Sequence, residues 1–255
     1  MPAFRIESLL IYPVRSLGGM RVPSGQITTS GSLHGDREWI VVRPDGSLIW
    51  QGDIPRMTLL SARLDHGELV VSGHDGHIGP KAEDIPDGHT IITQDGFRLA
   101  GMDQGAEIAN WLSDQLGTRC RLVRLGNEAH RWGGLNPIHA ISLVSLCALN
   151  MRLVEQGYEP VEAERFRPNV ILTGSHQAFD EELVSEIAFS GVSLGAPEPC
   201  VRCELPNISR RDASRSKQPL KMIGAMSRDR SAAHPASFGI YCTANGQSLS
   251  VGMTS

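Results

Sequence analysis

The residues best equipped for chemistry lie in the run Glu198-Pro199-Cys200-Val201-Arg202-Cys203-Glu204-Leu205-Pro206. Two thiols flank an arginine, whose positive charge favours the thiolate, the form that attacks electrophiles and binds metals. Prolines on both sides argue against a regular strand or helix, so an exposed loop with activated thiols is expected. Three chemistries are open to it. A Cys-x-x-Cys pair is half of a structural zinc site, but the other half is usually a second close pair of Cys or His, which the sequence lacks; zinc on scattered ligands stays open. A thioredoxin-like redox pair needs a helix starting at the motif inside a βαβ unit, and Pro206 with the polar stretch beyond it opposes that. The third reading is a surface loop with two inert thiols. The pair alone does not decide among them.

The other three of the five cysteines, Cys120, Cys147 and Cys242, are scattered through apolar stretches. In a reducing compartment they are expected to be small buried hydrophobes and not a disulfide framework.

The elements that must position these groups are mostly strands. Residues 4–12 read as a strand. Three hairpins follow: 39–43 with 47–50 around Pro44-Asp45-Gly46, 61–64 with 69–72 around Asp65-His66-Gly67-Glu68, and 90–93 with 97–100 around Gln94-Asp95-Gly96. A helix is expected with Ala106, Ala109, Trp111, Leu112 and Leu116 on its partly buried face, Asp103 as cap and Gly117 as stop. A second should start at an N-cap Ser145, carry Leu146, Leu149, Leu153 and Val154 as its apolar stripe, and end at Gly157. Strand signals resume at 170–173, 187–194 and 238–244, the last followed by an Asn245-Gly246 hairpin turn. Residues 210–230 read as a polar surface excursion with a short helix after Pro219. The fold class is α+β and β-dominant, with a division near 118–128: an antiparallel β-rich module over 1–118 and a second domain over 119–255.

The 255 residues are 40% hydrophobic and 20% charged, with 27 glycines and 15 prolines. That composition fits a globular, turn-rich chain long enough to bury its core without covalent staples. A net charge of -4 predicts neither a nucleic-acid nor an anionic-membrane partner. The longest apolar stretch, 138–151, is broken by His139, Ser142, Ser145 and Asn150 and is too short to span a bilayer. Residues 1–10 carry Arg5 and Glu7 and no small-residue cleavage site, so a cytoplasmic location is expected.

Further motifs surround the thiol run in order: Ile11-Tyr12-Pro13-Val14-Arg15-Ser16, His34-Gly35-Asp36-Arg37 followed by Trp39, Arg165-Phe166-Arg167-Pro168-Asn169-Val170, and Phe238-Gly239-Ile240-Tyr241 with Val251-Gly252. Together with Pro199-Cys200-Val201-Arg202-Cys203 they resemble the MOSC family, named for the C-terminal domain of molybdenum cofactor sulfurases. The resemblance includes the N-terminal β-barrel module of the amidoxime-reducing components and extends over nearly the whole chain. It implies a MOSC β-barrel with flanking helices over 119–255 and a molybdenum cofactor (molybdopterin with Mo). It further implies that Cys203 is the metal ligand and catalytic centre, while Arg15, Ser16, Arg37, Arg167, Asn169 and Arg202 hold or tune the cofactor. A soft thiolate suits a sulfur-rich molybdenum sphere, and arginine forks suit a phosphate or a pterin carbonyl. Cys200 is expected to support without ligating, and Asp36 to partner a neighbouring Arg or backbone amide.

The activity implied is reduction of N-hydroxylated compounds to amine and water. The sequence shows no dinucleotide fingerprint after a strand and no cysteine cluster for an iron–sulfur centre, so a separate ferredoxin or flavin reductase is the expected electron donor. The alternative is a carrier of molybdenum cofactor, or of sulfur as a Cys203 persulfide, without turnover of its own. The sequence departs from the family in three places. Gly52 precedes Asp53-Ile54-Pro55-Arg56 where relatives usually carry Arg; Met253 follows Val251-Gly252 where Asp is common; and Glu204-Leu205-Pro206-Asn207 replaces a hydroxyl-rich run.

Overall fold

Apolar residues alternate with polar ones at the start of the first strand, where Ile6 is buried between exposed Arg5 and Glu7; Leu9, Leu10 and Ile11 are then buried in succession. That pattern marks a strand covered on both faces at its far end. The computed structural model of the protein describes residues 3–81, 90–94, 97–131 and 137–255.

In chain order the first part comprises β1 (Arg5–Ile11), β2 (Met20–Val22), β3 (Ser24–Gln26), β4 (Trp39–Val42), β5 (Leu48–Ile49), β6 (Ser61–Asp65), β7 (Glu68–Gly73), β8 (Gly76–Ile78), β9 (Thr90–Gln94), β10 (Phe97–Asp103), α1 (Ala106–Leu116) and β11 (Arg121–Arg124). It continues with β12 (Ile138–Ser142), α2 (Leu143–Glu155), β13 (Val170–Thr173), β14 (Glu186–Phe189), β15 (Val192–Val201), α3 (Leu220–Asp229), β16 (Ser237–Asn245) and β17 (Ser248–Ser250). The fold is α+β and β-dominant.

One sheet runs β14-β15-β16-β12-β13-β1-β2 and another β5-β4-β11-β10-β9, with smaller groups β17-β3 and β6-β7-β8. Strand pairing crosses the 118–128 division twice: β1 pairs with β13, and β3 pairs with β17. The first and second halves of the chain therefore share sheets, and the segments that leave β1 and enter β13 lie side by side.

Several local expectations need correction. Pro199 and Cys200 lie within β15 rather than in a loop. The strand accommodates the proline because β14 pairs with β15 only as far as Gly195, and the register against β16 shifts between Pro199 and Val201; proline is tolerated at such edges and bulges. The N-cap of α2 is Ser142, whose Oγ accepts from the Val144 N–H. Ser145 instead points inward, donating to Glu181 Oε2 at 2.9 Å. Val154 is 57% exposed, off the buried stripe of α2. On α1, Ile108 takes a core place while Ala106 is exposed, and the N-cap is Gly105, whose N–H donates to Asp103 Oδ1. Cys147 is exposed, whereas Cys120 and Cys242 are buried. The Asn245-Gly246 turn closes no hairpin, since β17 pairs with β3. Gly117 ends α1 in a left-handed conformation, as expected, and α3 follows Pro219.

Candidate functional site

Arg15, Ser16, Arg37, Arg167, Arg202 and Cys203 line one cleft of about 540 Å³. Each arrives on a different piece of chain: Arg15 and Ser16 just beyond β1, Arg37 just before β4, Arg167 between a helical turn at Ala163–Phe166 and β13, and Arg202 and Cys203 just past β15. The pairing of β1 with β13 brings the first and third of these segments together. Three of the residues, Ser16 (φ 71°), Arg37 (φ 57°) and Arg167 (φ 55°), adopt left-handed backbone conformations. Such conformations cost roughly 1–3 kcal/mol each outside glycine and persist where the surroundings enforce them. Six further non-glycine residues among those described share the conformation elsewhere, so the feature supports the site without defining it.

The donor network is specific. Arg37 Nη1 donates to the Asp36 carboxylate and to Asn169 Oδ1 at 3.0 Å, and Nη2 to the Arg167 carbonyl at 3.1 Å. Asp36 is buried, and its Oδ1 accepts from the Tyr12 N–H at 2.8 Å; it acts as a structural partner. Arg167 Nη1 donates to the Leu17 carbonyl, while its buried Nη2 finds no partner among the described residues. The Arg167 guanidinium carbon lies 4.3 Å and that of Arg37 5.2 Å from the Tyr12 ring centroid. Burial, with Arg37 close by, lowers the Arg167 pKa to about 9. The group still carries its charge at neutral pH, with much of its hydration lost.

Asn169 does not line the cleft. It is wholly buried behind Arg37, accepting from Arg37 and from the His139 N–H at 3.2 Å and donating to the Leu10 carbonyl at 3.2 Å. The two cysteines also part ways. Cys203 is exposed and faces the cleft, whereas Cys200 is 0% exposed and accepts from Arg202 Nη1 at 2.8 Å. Among the described residues no three His, Cys, Asp or Glu side chains gather in a way that would hold a metal ion.

Trp50, His130, His139, Phe166 and Tyr241 also line the cleft. Sequence reasoning did not select them, because an aromatic or histidine in an apolar stretch reads equally well as core. His139 is buried, and desolvation together with the Arg202 charge holds its pKa well below the ordinary histidine value. Burial likewise lowers His130, whose Nε2 donates to the Asp36 carbonyl at 2.8 Å. Tyr241 is pushed up to about 12, first by burial and then by Cys200. At the Gly52 departure the Trp50 indole fills the side-chain space, 2.4 Å from where a Cβ would stand, and Trp50 Nε1 donates to Asp53 Oδ1 at 2.9 Å. The Trp50 indole thus occupies the space that a side chain at position 52 would need.

Residues 3–119 match the MOSC N-terminal beta barrel domain and residues 127–253 match the MOSC domain. The chain belongs to the MOSC family. Among its MOSC relatives is mitochondrial amidoxime reducing component 2 of Rattus norvegicus, 29% identical over 230 residues that cover 80% of this chain and 66% of the relative. Mitochondrial amidoxime-reducing component 1 of Mus musculus is 26% identical, with 86% and 70% covered. Molybdenum cofactor sulfurase of Drosophila erecta is 27% identical over 252 residues, covering 94% of this chain but 31% of the relative. This MOSC chain therefore spans about two thirds of the amidoxime-reducing components and under a third of the sulfurase. The family ties it to molybdenum-cofactor chemistry. Among the described residues no helix is long and apolar enough to cross a membrane.

Proposed function

We infer that this protein is a cytoplasmic, molybdenum-cofactor-dependent oxidoreductase that reduces N-hydroxylated compounds with electrons from a separate donor protein, a ferredoxin or flavin reductase. The observation that carries the reading is the convergence of one exposed thiol, Cys203, with Arg15, Arg37, Arg167 and Arg202 around a single cleft.

The side chains fit the group. A lone cysteine sulfur with no gathered His, Cys or carboxylate partners among the described residues suits a metal that arrives with sulfur ligands of its own. The buried, unpartnered Nη2 of Arg167 demands an acceptor, and a phosphate or pterin oxygen would supply it with a charge-assisted bond. When bound, the cofactor supplies a molybdenum centre able to exchange two electrons and an oxygen atom with substrate.

The protein's own contribution is placement. Cys203 offers its sulfur at the cleft surface. Arg37 is locked by Asp36 and Asn169, and Arg167 by the Leu17 carbonyl and the Tyr12 ring, so their remaining donors are pre-oriented towards an anion. Trp50, Phe166 and Leu205 add apolar wall against which an aromatic or alkyl substrate would lie.

The test is metal and pterin analysis of protein purified from a cofactor-producing host, comparing wild type with Cys203→Ala and Cys200→Ala. Near-stoichiometric molybdenum lost in Cys203→Ala but kept in Cys200→Ala is expected. Zinc lost in both variants, with no pterin, overturns the reading. The loaded, chemically reduced protein should then convert an amidoxime to its amidine; cofactor retention without turnover would make it a carrier.

A further inference from the structure

Residues 205–228 hold six basic side chains and one acidic, Asp212, whereas the whole chain carries 24 basic and 28 acidic ones; two of its three lysines lie here. The polar excursion is thus an island of positive charge on an otherwise acidic protein. It is also ordered. A helical turn at Leu205–Asn207 follows soon after Cys203. Beyond it the Ser209 N–H donates to the Ser214 carbonyl at 2.9 Å and the Ser216 N–H to the Asn207 carbonyl at 3.0 Å, folding residues 207–216 into a finger. The Asn207 side chain closes its base by accepting from the Leu220 N–H at 3.0 Å. Arg215 pins the finger to the two segments that carry cleft-lining Cys203 and Trp50, donating to Glu204 Oε1 at 3.2 Å and to the Gly52 carbonyl.

Arg215 is balanced by Glu204 and Arg210 by Glu162, and the one acid, Asp212, is tied to the Ser214 N–H and hydroxyl. Arg211, Lys217, Lys221 and Arg228 are exposed and make no ion pair among the described residues. Lys221 and Arg228, seven residues apart, share one face of α3. The opposite face buries Met222, Ile223 and Met226 in one core cluster with Phe166, a wall of the cleft. Beside Cys203 the rim is apolar: Val201, 51% exposed, and the part-exposed Leu205 both line the cleft. An apolar centre bordered by charge is the anatomy of a transient protein interface. Four unpaired cations call for carboxylates on the partner. Residues 205–228 contain no aromatic side chain on which a nucleic-acid base could stack, and α3 exposes no bulky apolar side chain to enter a bilayer.

We propose that the 207–217 finger and the Lys221–Arg228 face of α3 form the docking surface for an acidic electron-donor protein, which brings its redox group to the apolar rim of Val201 and Leu205. The inference rests on the proposed function for what is delivered: reduction of an N–OH group to N–H and water consumes two electrons and two protons, and the sequence carries neither a dinucleotide fingerprint nor an iron–sulfur cysteine cluster to supply the electrons. Docking itself needs no cofactor in this chain. Attraction between opposite charges gives fast, weak and salt-sensitive association, suited to a donor that must leave once it has been oxidised.

The experiment titrates the cofactor-free full chain with an acidic [2Fe–2S] ferredoxin and, separately, with an acidic flavodoxin, by calorimetry at low and moderate salt. At least one should bind. Its dissociation constant should rise roughly tenfold in the double variants Lys217→Glu/Lys221→Glu and Arg211→Glu/Arg228→Glu, and should depend on salt more steeply in wild type than in either. Arg5→Glu, exposed at the end of β1 away from the cleft, should change it by less than about twofold. Thermal midpoints establish that each variant is folded. In the cofactor-loaded protein, donor-driven turnover of an amidoxime should fall in the same order, while turnover with reduced methyl viologen should be kept. Binding of neither donor at low salt, or affinities unchanged by both double variants, overturns the proposal. Binding of duplex DNA or phosphatidylserine vesicles, and of neither donor, overturns it in favour of another partner. Absence of molybdenum from wild type purified in a cofactor-producing host overturns the proposed function and leaves the docking surface to be judged on the binding data alone.

Discussion

Arg37 Nη1 and Asn169 Oδ1 lie 3.0 Å apart although 132 positions separate them in sequence. The same amide accepts from the His139 N–H and donates to the Leu10 carbonyl, tying β1, β12 and β13 together directly beneath the cleft. A family motif residue that resembled a pterin contact is thereby a support for the arginine in front of it. Asn169→Ala strands two buried backbone groups as well as Arg37, so a loss of about 2–4 kcal/mol is expected, together with weaker cofactor retention. Urea unfolding of the purified variant checks the first; a change below about 0.5 kcal/mol would remove the structural role.

Arg167 behaves in the opposite sense. Its guanidinium pKa is depressed to about 9 by burial and Arg37, so the cost of holding a charge there is present at neutral pH and fades only as pH rises past that value. Arg167→Gln keeps a donor for Leu17 while removing the charge. In the cofactor-free protein the variant should be as stable as wild type or more so, whereas its pterin content should fall roughly tenfold, the scale of one charge-assisted contact. Clear destabilisation of the cofactor-free variant would refute the idea that the cleft is strained to receive an anion.

His139 gives a pH dependence of definite sign. Its folded-state pKa lies well below the ordinary value of 6.5, so the unfolded chain binds the proton more readily. Stability is fully present above about 6.5 and is lost as pH falls below it, by up to about 1.4 kcal/mol per pH unit for one proton. His130 is shifted in the same direction and contributes alike to wild type and variant. The stability difference between wild type and His139→Gln should therefore shrink on moving from neutral to mildly acidic pH. A difference that stays constant across that range would mean that His139 is not buried neutral.

Thiol counting separates the cysteines without any assumption about metal. Two of the five, Cys147 and Cys203, are exposed, so a disulfide reagent should titrate two thiols in the native cofactor-free protein and five after unfolding. Cys203→Ala should leave one. Loading with molybdenum cofactor should protect Cys203 and spare Cys147; protection of neither would argue against ligation.

Much of the candidate site was legible in the sequence because chemistry there depends on residue type in short motifs. Arg15-Ser16, Arg37, Arg167 and Arg202-Cys203 each sit in a run whose composition announces a turn or a strand end, and all of them reach one cleft. What the motifs could not convey was direction. Asn169 and Arg167 are two positions apart, yet one side chain is wholly buried and the other lines the cleft. Cys200 and Cys203 belong to one nine-residue run, yet the strand carries the first into the core and releases the second at the surface.

By itself, then, the sequence determined the β-dominant class, the hairpin turns at Asp45-Gly46 and His66-Gly67, the glycine stop of α1 and the set of groups able to bind an anion and a soft metal; the turn expected at Asp95-Gly96 lies outside the described residues. Each of these rests on backbone preference or side-chain chemistry that acts within a few residues. The tertiary structure decided which residues share a sheet, which serine caps α2, which cysteines are exposed, and that His139 stands against Arg202. Those outcomes depend on pairings such as Leu9 with Val170 and Ala140 with Ile240, contacts between segments distant in sequence that no local pattern encodes.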